Sequence, residues 1–281
     1  AGVGEAGEDS TTLDPGAKTS SVTLSEGNLR ANKAPYWAGA WATAAAPTAG
    51  TYYVEMEVGN VFGSYAGFGL LDKSYFDGTP PSGFSSDPAA WASQLTLDWQ
   101  SGRYLPGLAC KLNDGHCSGY LPESKNIGAD GLSTDVYKTK NEFPIAVDGR
   151  TGYDNGMYFS GVGEVQIAMF VDFDVGKFWV GTARGTVSTA PALTWFPGDP
   201  SDSATGFSFV RPADAKAPGW DGQTPLTFFV NPSTTSGNAY FHVRFDSSTW
   251  KYEAPARSVI PVDPGVSLDV SGARGTQSAP A

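Results

Sequence analysis

Residues 163–185, GEVQIAMFVDFDVGKFWVGTARG, constrain the fold of this chain more than any other stretch. Val165, Ile167, Met169, Val171 and Phe173 alternate with Gln166, Ala168, Phe170, Asp172 and Asp174, the period of two of a strand with one face in a core. Val175 and Gly176 supply the turn. With a two-residue loop, Phe173 lies opposite Phe178 and Val171 opposite Val180 on the buried face. On the other face Asp174 meets Lys177 and Asp172 meets Trp179. The segment predicts a β-hairpin around which other strands are laid.

Those other strands are legible in the same way. Residues 21–30 form a hairpin turning at Glu26, Gly27 and Asn28. Over residues 51–58, Tyr52, Val54, Met56 and Val58 occupy one face, and Tyr53, Glu55 and Glu57 the other. Residues 66–72 read as a buried, glycine-rich strand with a neighbouring backbone close by. Further strands are expected at 95–99, 207–210, 226–230 and 239–245, whereas the one helical pattern, residues 87–94, is short. The 35 glycines and 20 prolines in 281 residues suit short strands joined by tight turns. Together these features predict an all-β, antiparallel β-sandwich over residues 19–256, with a long loop insertion at about 73–142. Residues 1–18 and 257–281 are polar and without periodicity, and read as irregular arms.

Charge excludes several partners. At a net charge of −11, with 18 scattered basic residues, the chain lacks the clustered cations that hold phosphates. Anionic membrane surfaces are excluded for the same reason, and no stretch reaches the roughly 20 apolar residues of a spanning helix. Ala1 suits either a removed signal peptide or a removed initiator methionine. Cys110 and Cys117 are the two cysteines. A disulfide between them would stabilise by about 2.5 kcal/mol in the chain-entropy model, and two separate thiols is the alternative. A zinc site would need more ligands than His116 adds.

The order of segments resembles the SPRY-type sandwich of the concanavalin-like superfamily, in the versions found in bacteriophage and prophage structural proteins. Residues 22–29 are similar to its opening hairpin, 50–57 to its aromatic-x-Glu strand, and Gly67-Phe68-Gly69 to its glycine-flanked strand. Gly152-Tyr153 and residues 163–179 are similar to its Gly-Tyr element and central hairpin. Residues 195–207 and 245–255 resemble its closing segments. Arg184-Gly185 stands where asparagine-glycine is common. The resemblance implies a jelly-roll sandwich and a structural or adhesion role in a phage-like virion: a capsid decoration, head fibre or tail fibre component. It would meet other virion proteins through its arms, as a homo-oligomer or part of a larger assembly.

Chemistry-bearing patterns are sparse. Glu55 with Glu57, and Asp172 with Asp174, have the alternate spacing that a retaining glycosidase uses on one strand. The hydrolase pattern of this superfamily, Glu-x-Asp-x-x-Glu, lacks its last acid here, because residue 60 is asparagine. His116 and His242 have no nucleophile motif beside them. No catalytic residue is therefore expected. Asp148, Asp154, Asn155, Asp199 and Asp202 could offer oxygen ligands to calcium, although Asx residues beside glycine more often make turns. The alternative to a virion role is a secreted or extracellular lectin-like module that binds cell-surface glycans, with Trp91, Trp99, Tyr104, Tyr120 and Trp220 as candidate stacking residues.

Overall fold

The computed structural model describes residues 11–32, 37–59, 66–80, 82–97, 107–112, 116–118, 164–186, 188–190, 192–196, 198–209, 220–233 and 240–256. Within them the chain runs through β1 (Leu13–Lys18), β2 (Thr23–Ser25), β3 (Arg30–Asn32), β4 (Ala40–Ala45), β5 (Thr51–Gly59) and β6 (Gly67–Leu71). Two short helices follow, α1 (Lys73–Phe76) and α2 (Pro88–Leu97), then β7 (Gly107–Lys111) and β8 (His116–Ser118). The remaining strands are β9 (Glu164–Asp172), β10 (Lys177–Arg184), β11 (Thr194–Phe196), β12 (Phe207–Ser208), β13 (Thr227–Asn231) and β14 (Tyr240–Arg244). They form a six-stranded sheet, β1-β4-β13-β6-β7-β8, and an eight-stranded sheet, β11-β10-β9-β5-β14-β3-β2 with β12 beside β10. This is the all-β, antiparallel β-sandwich expected from the sequence.

The alternating apolar residues meet between the sheets. Val54, Met56, Ile167, Met169, Phe178, Val180, Phe241 and Val243 from one sheet pack against Ala40, Phe68, Leu70, Leu108, Phe228 and Val230 from the other. Each large side chain so buried contributes about 1.5–3 kcal/mol. In β6, Gly69 is required by close approach: a Cβ there would stand 2.2 Å from the Leu108 carbonyl oxygen.

Both sheets also bury much of their outer faces. Trp41, Leu71, Ala109 and Phe229 lie under Phe76 of α1 and Ala89, Trp91 and Ala92 of α2. On the other side, Tyr53, Ala168, Phe170 and Trp179 lie under Leu193, Trp195, Trp250 and Ala254. That second cover explains why β9 is buried on both faces although its sequence alternates.

Several expectations need correction. The hairpin loop holds four residues, because Lys177 pairs with Asp172 and Phe178 with Val171. Asp172 Oδ1 accepts from the amides of Asp174 at 3.0 Å and Val175 at 3.3 Å, while the Phe173 amide donates to Gly50 O at 2.9 Å. This Asx turn ends the ladder early, so the faces are as expected but the register is displaced. The residues read as the inner end of the first arm, Leu13–Lys18, are an edge strand whose register shifts within its length. Pro15 and Gly16 lie within it, and an irregular edge strand tolerates both. The strand expected at 95–99 is instead the end of α2 as far as Leu97. Asp87 caps that helix, its Oδ1 accepting from Ala89 N at 2.9 Å and Ala90 N at 3.2 Å, and Pro88 opens it. These start signals outweigh a short alternation. Cys110 is in a disulfide, and Cys117, the other cysteine of the chain, lies directly opposite it in the β7–β8 register.

Candidate functional site

The outer face of the eight-stranded sheet carries the two glutamates that the sequence singles out. Glu55 is wholly buried. Its Oε1 accepts from Tyr53 Oη at 2.9 Å and Tyr252 N at 2.8 Å; its Oε2 accepts from Arg244 Nε at 3.2 Å and Lys251 N at 2.8 Å. Four donors occupy the acceptor capacity of a carboxylate. Arg244 also donates through Nη2 to Gln166 Oε1 at 2.6 Å, and Gln166 Nε2 donates to Glu57 Oε2 at 2.9 Å. The Tyr240 hydroxyl lies 3.0 Å from Glu57 Oε1 and 3.1 Å from Glu164 Oε1, with the Arg30 guanidinium 3.7 Å above its ring. Burial, then the Glu55 charge, pushes the Tyr53 phenol up, and burial followed by Glu57 does the same to Tyr240.

This layer fixes a strap, residues 250–256, across the sheet. Glu55 holds its backbone at Lys251 and Tyr252. The Trp250 indole donates to Arg244 O at 3.1 Å and meets the Tyr53 ring edge-on at 4.6 Å. Lys251 Nζ reaches sideways to Ala190 O at 2.9 Å.

Strand β10 fixes a second segment, the loop 198–206. Lys177 Nζ donates to three backbone carbonyls: Ser203 at 2.9 Å, Thr205 at 3.0 Å and Ala204 at 3.3 Å. The Trp179 indole donates to Thr205 Oγ1 at 2.8 Å, and that hydroxyl lies 2.9 Å from Asp199 O and 2.8 Å from Asp202 O. Gly206, at φ +91°, lies against Trp179 so closely that a Cβ would stand 2.6 Å from the indole. The lysine ammonium supplies the cation around which the loop carbonyls gather.

Loop and strap are the two walls of an open cleft of about 520 Å³ that includes Trp195, Asp199, Pro200, Ser201, Glu253 and Pro255. Trp195, half-buried, comes from edge strand β11, where its ring centroid is 6.5 Å from that of Tyr53. Asp199 and Glu253 are exposed. The Ser201 amide, 2.8 Å from Asp199 Oδ1, holds that carboxyl below the usual range. An indole wall with flanking carboxylates can stack on an apolar ligand face and accept hydrogen bonds from hydroxyl or ammonium groups.

The residues named from sequence fare differently. Trp91 is 3% exposed and packs between Phe76 and Tyr75 at 5.1 and 5.2 Å. Trp220 is equally buried, stacked on Phe209 at 5.1 Å with its indole donating to Thr224 O at 2.5 Å. Both are core residues, which corrects their assignment to a glycan surface. Trp99, Tyr104 and Tyr120 lie outside the described residues, as do Asp148, Asp154 and Asn155. Among the described residues no group of three or more His, Cys, Asp or Glu is placed to hold a metal. Asp199 and Asp202 accept from Ser201 N and Ala204 N, as turn-forming Asx residues do. Sequence reasoning missed Trp195 and Glu253. The available signal was Trp195 followed by Gly198-Asp199-Pro200, an aromatic strand end leading into an acidic turn.

No family model and no curated protein matches the chain. Among solved structures it is similar to a Lotus tetragonolobus seed lectin, at 10% identity and a TM-score of 0.39, over 85% of this chain and 95% of that one. It is also similar to lectin UEA-II complexed with galactose, at 12% identity and a TM-score of 0.35, over 83% and 92%. A third is a GH131 beta-glucanase catalytic domain from Podospora anserina, at 14% identity and a TM-score of 0.27, over 84% and 79%. These likenesses concern the path of the chain through a β-sandwich.

Proposed function

We propose that the protein is a non-enzymatic, lectin-like module that binds glycans in the cleft between residues 198–201 and 253–256. The observation that carries this reading is the Trp195 indole standing in an open cleft of about 520 Å³ beside two exposed carboxylates. The volume is that of a small-ligand site, and its walls are held in advance by Lys177 and Glu55. The non-enzymatic half is supported by Glu55 itself. A retaining glycosidase needs two carboxylates free to act on substrate, and Glu55 spends its oxygens on Tyr53, Arg244 and two strap amides.

The test is a glycan array followed by calorimetry on the wild type and Trp195→Ala. Loss of a stacking anchor is expected to weaken binding about tenfold or more. An array without binders, or a variant that binds like the wild type, contradicts the reading.

A setting for such a module is the surface of a phage-like virion, as a structural or adhesion component. This setting rests on the sequence resemblance of residues 50–57 and 163–179 to SPRY-type segments. In this setting residues 1–10 and 257–281 anchor the protein to its neighbours. Deleting both segments, leaving β1 intact, is expected to abolish incorporation into particles; undiminished incorporation contradicts it.

A further inference from the structure

We infer that the cleft selects neutral and amino-bearing glycans and rejects those carrying carboxylate, sulfate or phosphate groups, an inference that rests on the glycan-binding reading above. Asp199 and Glu253 enter the cleft from different segments, and no lysine or arginine is among its described lining residues. The two lysines of the flanking elements have little to offer a bound anion. Lys177 commits its three N–H groups to the carbonyls of Ser203, Ala204 and Thr205, and Lys251 donates to Ala190 O at 2.9 Å and Thr186 O at 3.5 Å. Arg244 is likewise taken up by Glu55 and Gln166.

An anionic sugar entering this cleft therefore meets two like charges and, among the described lining residues, no cation. A sugar ammonium would form charge-assisted hydrogen bonds to the same oxygens, stronger than those from neutral hydroxyls. Over longer distances the net charge of −11 acts in the same direction.

The experiment titrates the full chain with three probes of equal length: chito-oligosaccharide, its de-N-acetylated amino form, and oligogalacturonate. Each is measured at low and high ionic strength. The amino form is expected to bind tightest and the uronate weakest, with a gap of about fivefold per charge contact that shrinks in salt. The double variant Asp199→Asn/Glu253→Gln keeps the acceptor for Ser201 N and changes the net charge by only two units. It is expected to close the gap between the amino form and the uronate, the two probes being compared within each protein so that any general loss of binding cancels. Equal binding of all three probes by the wild type, or a gap that survives in the double variant, overturns the inference alone. Binding of none of them overturns the glycan reading and the inference with it.

Discussion

Glu55 Oε2 lies 3.2 Å from Arg244 Nε on a face where the glutamate has no solvent exposure, and the same oxygen accepts the Lys251 amide at 2.8 Å. One buried ion pair thus joins two adjacent strands of the eight-stranded sheet to the strap above them. A buried pair contributes little net stability against an apolar equivalent, but losing one partner leaves a stranded charge. Arg244→Met should therefore cost about 3–5 kcal/mol in urea denaturation. Adding Glu55→Gln should recover part of that loss, a non-additivity that two independent sites would not give.

Lys177→Met tests the ammonium-centred loop. Hydrogen bonds to a charged group are each worth about 1.5–3 kcal/mol at most, and part of that is lost to solvent screening at a half-buried site. A modest fall in melting temperature is expected, with new proteolytic cleavage within residues 198–206 and weaker glycan binding. Cleavage and affinity unchanged from wild type would show that the loop holds its shape without Lys177.

Alkaline pH should unfold the protein earlier than its fold alone would suggest. Tyr53 and Tyr240 are held above the usual tyrosine range, by burial first and by neighbouring glutamates second. A phenol whose folded pKa lies above its unfolded value of about 10 contributes stability that is complete below that pH and is lost as pH rises through the folded pKa. Urea midpoints should accordingly fall steeply above about pH 10. Tyr53→Phe should flatten that fall, at a cost of about 1.5–3 kcal/mol at neutral pH for the lost hydrogen bond to the Glu55 carboxylate.

The disulfide belongs to the opposite sheet. Replacing Cys110 and Cys117 together by alanine should cost about 2.5 kcal/mol by the loop-closure argument and leave glycan affinity unchanged. A loss of affinity on that replacement would tie the cleft to the far sheet, a coupling absent from the contacts described.

The framework was legible in the sequence because alternation is a local signal. Val165 to Phe173 and Tyr52 to Val58 show their inward faces without reference to anything distant. Displacement of the hairpin register was not legible, since it depends on the Asx turn at Asp172 and on Gly50, which is far away in sequence. The burial of Gln166 and Phe170 was hidden for a similar reason: the strap that covers their face arrives some 80 residues later. Aromatic content alone pointed to Trp91 and Trp220, but a tryptophan in a β-sandwich is as readily a core residue as a platform. Trp195 differs from them only in where the chain leaves it, on an edge strand between two acidic walls.

The most direct test of the glycan-binding cleft is to follow indole N–H resonances while a glycan hit is titrated into protein labelled with ¹⁵N at its eight tryptophans. The Trp195 resonance should shift with the ligand, while those of Trp91 and Trp220 stay in place. A saturating ligand that leaves Trp195 unmoved, or moves the other two instead, would contradict the account.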